Sequence, residues 1–393
     1  MANGASDSWK RIKLTEGTRA RRYHAHSYYD IPVFDDGSRY IAAHEMRFAE
    51  REPAPRESVT VGVVDCESGE GFEPVGLSTA WSWQQGPLAQ WRPGAERALH
   101  WNDRFEDRFV TRVYELDSQK EQILQRPTYA IARDGSFILS LNMARLNELR
   151  PGYGYPGGHC GFLEEKYPAN DGVWRVDTVT GRERLILSLS RAFDFLMEML
   201  EPQARRLQHA HEYHYWFNHA KISPDGLRFT VKLRFKVRGG SWNDRQGVSL
   251  TCGVDGEDLR LLTDATSHVI WRDDSSLYMW RLDGFYLYRD EAPKGECIRQ
   301  IGKGLVDSNA HLQYLPTETD QYVFDTPYRE DVDIYIRDET ARSTTHVTRF
   351  SRHRPKRGPY RCDVHPRPSP DGNRIAATSL EDGGRQLYLL EKV

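Results

Sequence analysis

The chain is poor in cysteine, with only Cys66, Cys160, Cys252, Cys297 and Cys362 among 393 residues. They are odd in number, widely scattered and free of any CxxC pair. That argues against a disulfide framework and points to reduced thiols. No apolar run approaches the roughly 18 residues of a membrane-spanning helix. The start, Met-Ala-Asn-Gly-Ala-Ser-Asp, lacks a basic segment followed by an apolar one. No secretory leader is therefore expected, and the cytoplasm is the expected compartment. A dominant charge is missing as well. The formal net charge is -3, which gives no reason to expect a nucleic-acid or membrane partner. No linker or low-complexity stretch divides the chain, so a single domain over 1–393 is expected. That length exceeds the usual single-core limit of about 250–300 residues, which a radial repeat of small sheets avoids.

What is present is such a repeat. A Pro/Asp/Gly-type turn followed by alternating apolar residues recurs at 35–37, 93–94, 134–135, 224–226, 273–275, 316–320 and 370–372. The spacing, mostly about 40–55 residues, is that of four-stranded blades. It predicts an all-β chain, a seven-bladed β-propeller of antiparallel blades. Weaker turns at 65–70, 117–120, 177–181 and 255–258 mark outer hairpins. The long gap between Gly135 and Pro224 predicts a helical and loop insertion near 146–210. Within it, Phe193, Leu196, Met197 and Leu200 stand at i, i+3, i+4 and i+7, which predicts an amphipathic helix over 190–208. A Gly/Pro/Tyr-rich loop, 150–161, precedes it, and loops of this kind tend to carry function.

Histidine recurs about five or six residues before successive turns: His219, His268, His311 and His365. These are inner-strand positions, which converge near the axis of a propeller. Converging imidazoles suit a divalent metal, Zn²⁺ or Mn²⁺, and Cys362 adds a possible thiolate. The competing reading is that these histidines hydrogen-bond neighbouring blades and stitch the ring together. His209, His211 and His214 crowd the end of the predicted helix and read as surface or mouth residues. A second constellation lies in the early blades: His24 and His44 around the first turn, Gln85 and Asn102 in the second blade, then Tyr129 and Arg145.

These residues sit in strings that resemble propeller polysaccharide lyases, the group of oligogalacturonate, ulvan and rhamnosyl-glucuronate lyases. The strings are His24…Tyr28-Tyr29-Asp30, Trp83-Gln84-Gln85-Gly86, Trp101-Asn102-Asp103-Arg104, Arg150-Pro151-Gly152-Tyr153-Gly154-Tyr155, Ser267-His268-Val269-Ile270-Trp271-Arg272-Asp273 and Arg361-Cys362-Asp363-Val364-His365-Pro366. The resemblance implies a carbon–oxygen lyase that opens a uronate glycan by β-elimination. Its ulvan-type members imply His24, His44, Tyr129 and Arg145 as the catalytic set. Its oligogalacturonate members imply a divalent metal held by inner-strand histidines, with His268 and His311 the best matches, although their Gln-x-x-His-x-His cluster is not reproduced.

On this reading Arg145 neutralises the substrate carboxylate and Tyr129 makes one proton transfer. His24 or His44 makes the other. Gln85, Asn102, Arg150, Tyr153, Asn218 and His219 bind substrate, and His268, His311, Cys362 and His365 hold a metal that either binds the substrate carboxylate or ties the central channel together. The expected partner is a short acidic oligosaccharide. The alternative is a non-catalytic, TolB-like propeller that docks a partner and would not need the inward His/Tyr/Arg set.

Overall fold

Each of the seven turns joins the first two strands of a four-stranded antiparallel sheet, and seven such sheets make up the fold. The computed structural model describes residues 8–94, 97–199, 210–281, 283–317, 320–355 and 358–393. The first, innermost strands of the seven blades are Tyr23–Ala25, Gln90–Trp91, Ala130–Ile131, His214–Ile222, Val269–Trp271, Leu312–Tyr314 and Arg367–Pro368. The ring closes through its ends. Trp9–Lys13 is the outermost strand of the seventh blade, pairing antiparallel with Gln386–Lys392 so that Trp9 faces Lys392 and Lys13 faces Tyr388. Among the described residues no helix is long and apolar enough to cross a membrane.

The period-two alternation of a strand places its two residue sets on opposite faces. The second strand of blade 4, Arg228–Lys236, shows what this does here. Phe229, Val231, Leu233 and Phe235 are fully buried in the largest hydrophobic cluster. Lys232, Arg234 and Lys236 alternate with them, and they too are buried. Apolar packing on one face thus holds cations on the other, away from bulk water.

The expected insertion divides in two. The first part leaves blade 3 between the strands Phe137–Ser140 and Gly172–Asp177 and begins with a helix the sequence pattern did not predict, α1 (Met143–Leu149). Asn142 caps it by accepting from the Arg145 amide. The second part, α2 (Leu189–Met199), follows the last strand of blade 3 and buries Ala192, Phe193 and Leu196. The rest of the predicted helix, 200–208, and His209 lie outside the described residues. His211 is exposed beside Tyr167, and His214 is half-buried at the start of its strand.

Three histidines outside the channel mouth tie stability to pH. Burial lowers His26 to about 4, and His44 and His100 to about 3, with nearby cations pushing the same way. Unfolded, each returns to about 6.5. Below that value the unfolded chain binds more protons, so stability falls as pH falls, by up to about 1.4 kcal/mol per group per pH unit. The urea midpoint is expected to drop between about pH 7 and pH 5 and to drop less steeply in His100→Gln. Equal slopes would contradict this origin.

Candidate active site

A cavity of about 410 Å³ opens at one mouth of the channel. Its wall carries Arg150, Lys232, Arg234, Arg245 and Arg361 and, among the described residues, no Asp or Glu. Arg150 and Tyr153 come from the loop after α1. Lys232 and Arg234 come from the polar face of the blade 4 strand. Arg361 comes from the segment entering blade 7. Arg361 is already paired with Asp363 at 2.8 Å. The other four pair with no carboxylate among the described residues, so an anion seated among them would relieve their mutual repulsion. Trp242 and Tyr328 flank the same cavity, both partly exposed.

Blade 4 also supplies His219. Its inner strand slips register between Asn218 and Lys221, and His219 takes the left-handed conformation at φ 56°. A non-glycine residue there costs about 1–3 kcal/mol. A histidine where glycine fits better points to a need for its side chain. Arg150 Nη1 lies 3.2 Å from His219 Nε2. A guanidinium only donates, so Nε2 accepts and the ring proton resides on Nδ1. That proton is donated to the Tyr129 hydroxyl, 2.8 Å away. Tyr129 in turn donates to Gln85 Oε1, and Gln85 Nε2 donates to the Tyr153 carbonyl at 2.6 Å. Asn218 Oδ1 lies 3.4 Å from the same hydroxyl. Tyr28 stacks on the His219 ring, with ring centroids 4.9 Å apart.

Electrostatics agree with this hydrogen-bond chain. Burial, then Lys232 and Arg150, hold His219 well below the usual histidine value, so it is neutral at pH 7. Burial keeps the Tyr129 phenol well above its usual range and therefore protonated. Tyr153 goes the other way. Burial pushes it up, but Arg150 and Arg361 outweigh that and bring its pKa below the ordinary tyrosine value. Arg150 lies 3.4 Å from the centre of its ring, and Arg361 donates to its hydroxyl at 2.7 Å.

Below this wall His311, Asp363 and His365 bring one donor atom each within 4.8 Å of one another. His311 Nε2, Asp363 Oδ1 and His365 Nε2 are buried and have no hydrogen-bond partner. His311 Nδ1 donates to Asp325 Oδ2 at 2.8 Å, which orients the ring and leaves Nε2 as a free lone pair. His365, like His219, is left-handed, at φ 51°. Two imidazoles and a carboxylate with orphaned, converging donors fit a divalent transition metal.

Several expected site residues lie away from the basic cavity or are committed to other partners. Arg145 is 1% exposed, and its guanidinium donates to the carbonyls of Tyr215, Phe162, Glu165 and Lys166. It clamps the insertion to blade 4, and a substrate carboxylate would have to displace those four bonds. His24 lies between blades 1 and 7, beside Gln386 at 3.1 Å and Glu45 at 3.4 Å, and lines a separate cavity. His44 packs so closely on Gly86 that a Cβ there would fall 2.4 Å from its ring. Neither histidine lines the basic cavity. Asn102 spends its amide on Thr128, Tyr155 and Thr111, a clasp between blades 2 and 3. Burial pushes the Cys362 thiol up to about 11, and its sulfur is not in the donor group. His268 adjoins that group, with its ring 4.5 Å from His311, and lines the cavity.

Asp363, Lys232, Arg234, Arg245 and Arg361 were missed. Asp363 had a signal, because it stands two residues before His365 and shares its side of an extended segment, whereas Cys362 does not. Lys232 and Arg234 had one too, in the alternation Val-Lys-Leu-Arg-Phe-Lys.

Fold and site together define a closed seven-bladed propeller with a basic cavity over a His/Asp donor group. No protein-family model matches the chain, and no curated protein matches it. Among solved structures it is similar to an oligogalacturonate lyase in complex with manganese, at 14% identity and TM-score 0.60, over 100% of this chain and 99% of that one. It is also similar to the oligogalacturonate lyase of Vibrio parahaemolyticus, at 12% identity and TM-score 0.58, over 98% and 97%. At these identities the likeness is one of fold.

Proposed function

We propose that the chain is a carbon–oxygen lyase that cleaves a short uronate-containing oligosaccharide by β-elimination and leaves an unsaturated uronate end. The observation that carries this is the convergence, in one cavity, of five basic side chains, only Arg361 of them paired with a carboxylate among the described residues, and a neutral histidine lone pair. Elimination beside a carboxylate needs both parts. The carboxylate must be neutralised so that the developing enolate is stabilised, and a base must take the C5 proton.

Arg150 and Arg361 line the cavity and are suited to grip a carboxylate, since a guanidinium can offer it two parallel N–H donors. In the free protein Arg150 donates to His219 Nε2. A bound carboxylate draws Arg150 to itself and frees that lone pair for the C5 proton. The imidazolium that results still donates from Nδ1 to Tyr129. Gln85 accepts the Tyr129 hydrogen bond and fixes its hydroxyl, and with it the ring. A Mn²⁺ or Zn²⁺ ion held by His311, Asp363 and His365 would supply Lewis-acid stabilisation of the enolate. The names of the two fold neighbours support the same reading.

The test is a screen of pectic, ulvan-type and gum-arabic-type oligosaccharides, read as the ultraviolet absorbance of an unsaturated uronate. At least one is expected to give a rise. No rise with any of them overturns the reading.

A further inference from the structure

We propose that Lys232 is a catalytic residue of this site, the acid whose ammonium protonates the glycosidic oxygen as the C4–O4 bond breaks. The proposal rests on the β-elimination reading above and supplies the proton donor that reading leaves open.

Lys232 is 2% exposed yet lines the cavity. It stands directly across the strand pair from Asn218, the neighbour of His219. It forms no ion pair with a carboxylate among the described residues, and its side chain faces the cavity. The other buried lysine of this blade differs. Lys221 bonds Asp30 at 2.9 Å, the Tyr29 hydroxyl at 3.2 Å and the Val269 carbonyl. A largely desolvated amine without a carboxylate beside it costs stability. Placed in a wall of other cations, it is poorly suited to a purely structural role.

The groups around it set its chemistry. Burial, then Arg234, Lys221 and Arg150, push its pKa well below that of ordinary lysine, and Asp30 acts the other way. His219 and His268 share the cavity wall and are held neutral, mainly by burial. An ammonium so placed gives up its proton far more readily than one in water, while His219 remains an acceptor. Environments that separate two titrating groups in this way assign acid and base. In the step, the C5–H pair becomes the C4=C5 double bond and the C4–O4 pair goes to O4. His219 Nε2 takes the C5 proton, and O4 takes one from Lys232 Nζ. Solvent resets both groups after product leaves.

The bland alternative is that Lys232 only attracts the carboxylate. Leaving-group chemistry separates the two. Lys232→Met and Lys232→Gln are compared with the unaltered protein on the oligosaccharide it cleaves and on a uronoside carrying fluoride at C4. Fluoride departs without a proton. Both variants are expected to lose about 100-fold or more in kcat on the oligosaccharide and to stay within a few-fold on the fluoride substrate. The alkaline limb of the unaltered protein's kcat profile is expected to vanish with the fluoride substrate. Melting temperatures are expected to hold or rise, since a buried cation without a carboxylate beside it is removed. Equal losses on both substrates, no loss on either, or unfolding of both variants overturns the proposal. If the unaltered protein cleaves neither substrate, the β-elimination reading itself fails and takes the proposal with it.

Discussion

His219→Ala is expected to lower kcat by about 100- to 10,000-fold, the usual contribution of a positioned base, with a much smaller change in KM. The split follows from what His219 touches. On the proposed reading its Nε2 meets the reacting proton, whereas the carboxylate is gripped by Arg150 and Arg361, which the substitution leaves in place. The acid limb of the kcat/KM profile is expected to disappear with the side chain. Burial and the surrounding cations depress His219, so that limb in the unaltered protein falls below the ordinary histidine range. Tyr129→Phe removes the acceptor of the Nδ1 proton and is expected to slow turnover less, because the base itself remains. A loss confined to KM in His219→Ala would place this histidine in binding and not in proton transfer.

Arg361→Met is expected to cost about 3–5 kcal/mol of stability, the penalty for leaving a buried charge unpaired. Asp363 is fully buried, and its Oδ2 accepts from Arg361 Nε at 2.8 Å. The nearest imidazole nitrogens, on His311 and His365, lie 3.9 and 3.8 Å from that oxygen. Without the guanidinium, the carboxylate keeps no close cation. A divalent ion held by His311, Asp363 and His365 would replace it. Adding Mn²⁺ is therefore expected to raise the melting temperature of Arg361→Met more than that of the unaltered protein. Equal rises would show that the ion does not reach Asp363. Metal titration of His365→Ala serves as the control.

Much of the fold was legible because turns and strand alternation are local properties. All seven Pro/Asp/Gly turns join the first and second strands of a blade. The closure was not legible. Trp9–Lys13 reads as a short, charged segment, and it becomes a strand only because Gln386–Lys392 offers an open edge far away in sequence. Helix α1 was missed because its few residues are too short for a helical period to stand out, and Asn142 capping is decisive only once the insertion is folded.

The site was legible where a position in the repeat fixes direction. His219, His268, His311 and His365 do meet around Tyr28 and Tyr29. Chemistry assigned by residue type alone fared worse. Arg145 looks like a substrate clamp until its carbonyl partners are seen, and His24 and His44 sit in seams between blades. The basic wall was hidden because Lys232 and Arg234 resemble the solvated face of an ordinary strand. What buries them is the neighbouring loop and blades, which a local pattern does not contain.

The central claim is elimination at a uronate, and cleavage in water enriched in heavy oxygen tests it most directly. A lyase adds no water across the broken bond. The two product masses are expected to sum to that of the substrate, with no label in either and an unsaturated uronate at one new end. One heavy oxygen in a product would show hydrolysis and contradict the claim.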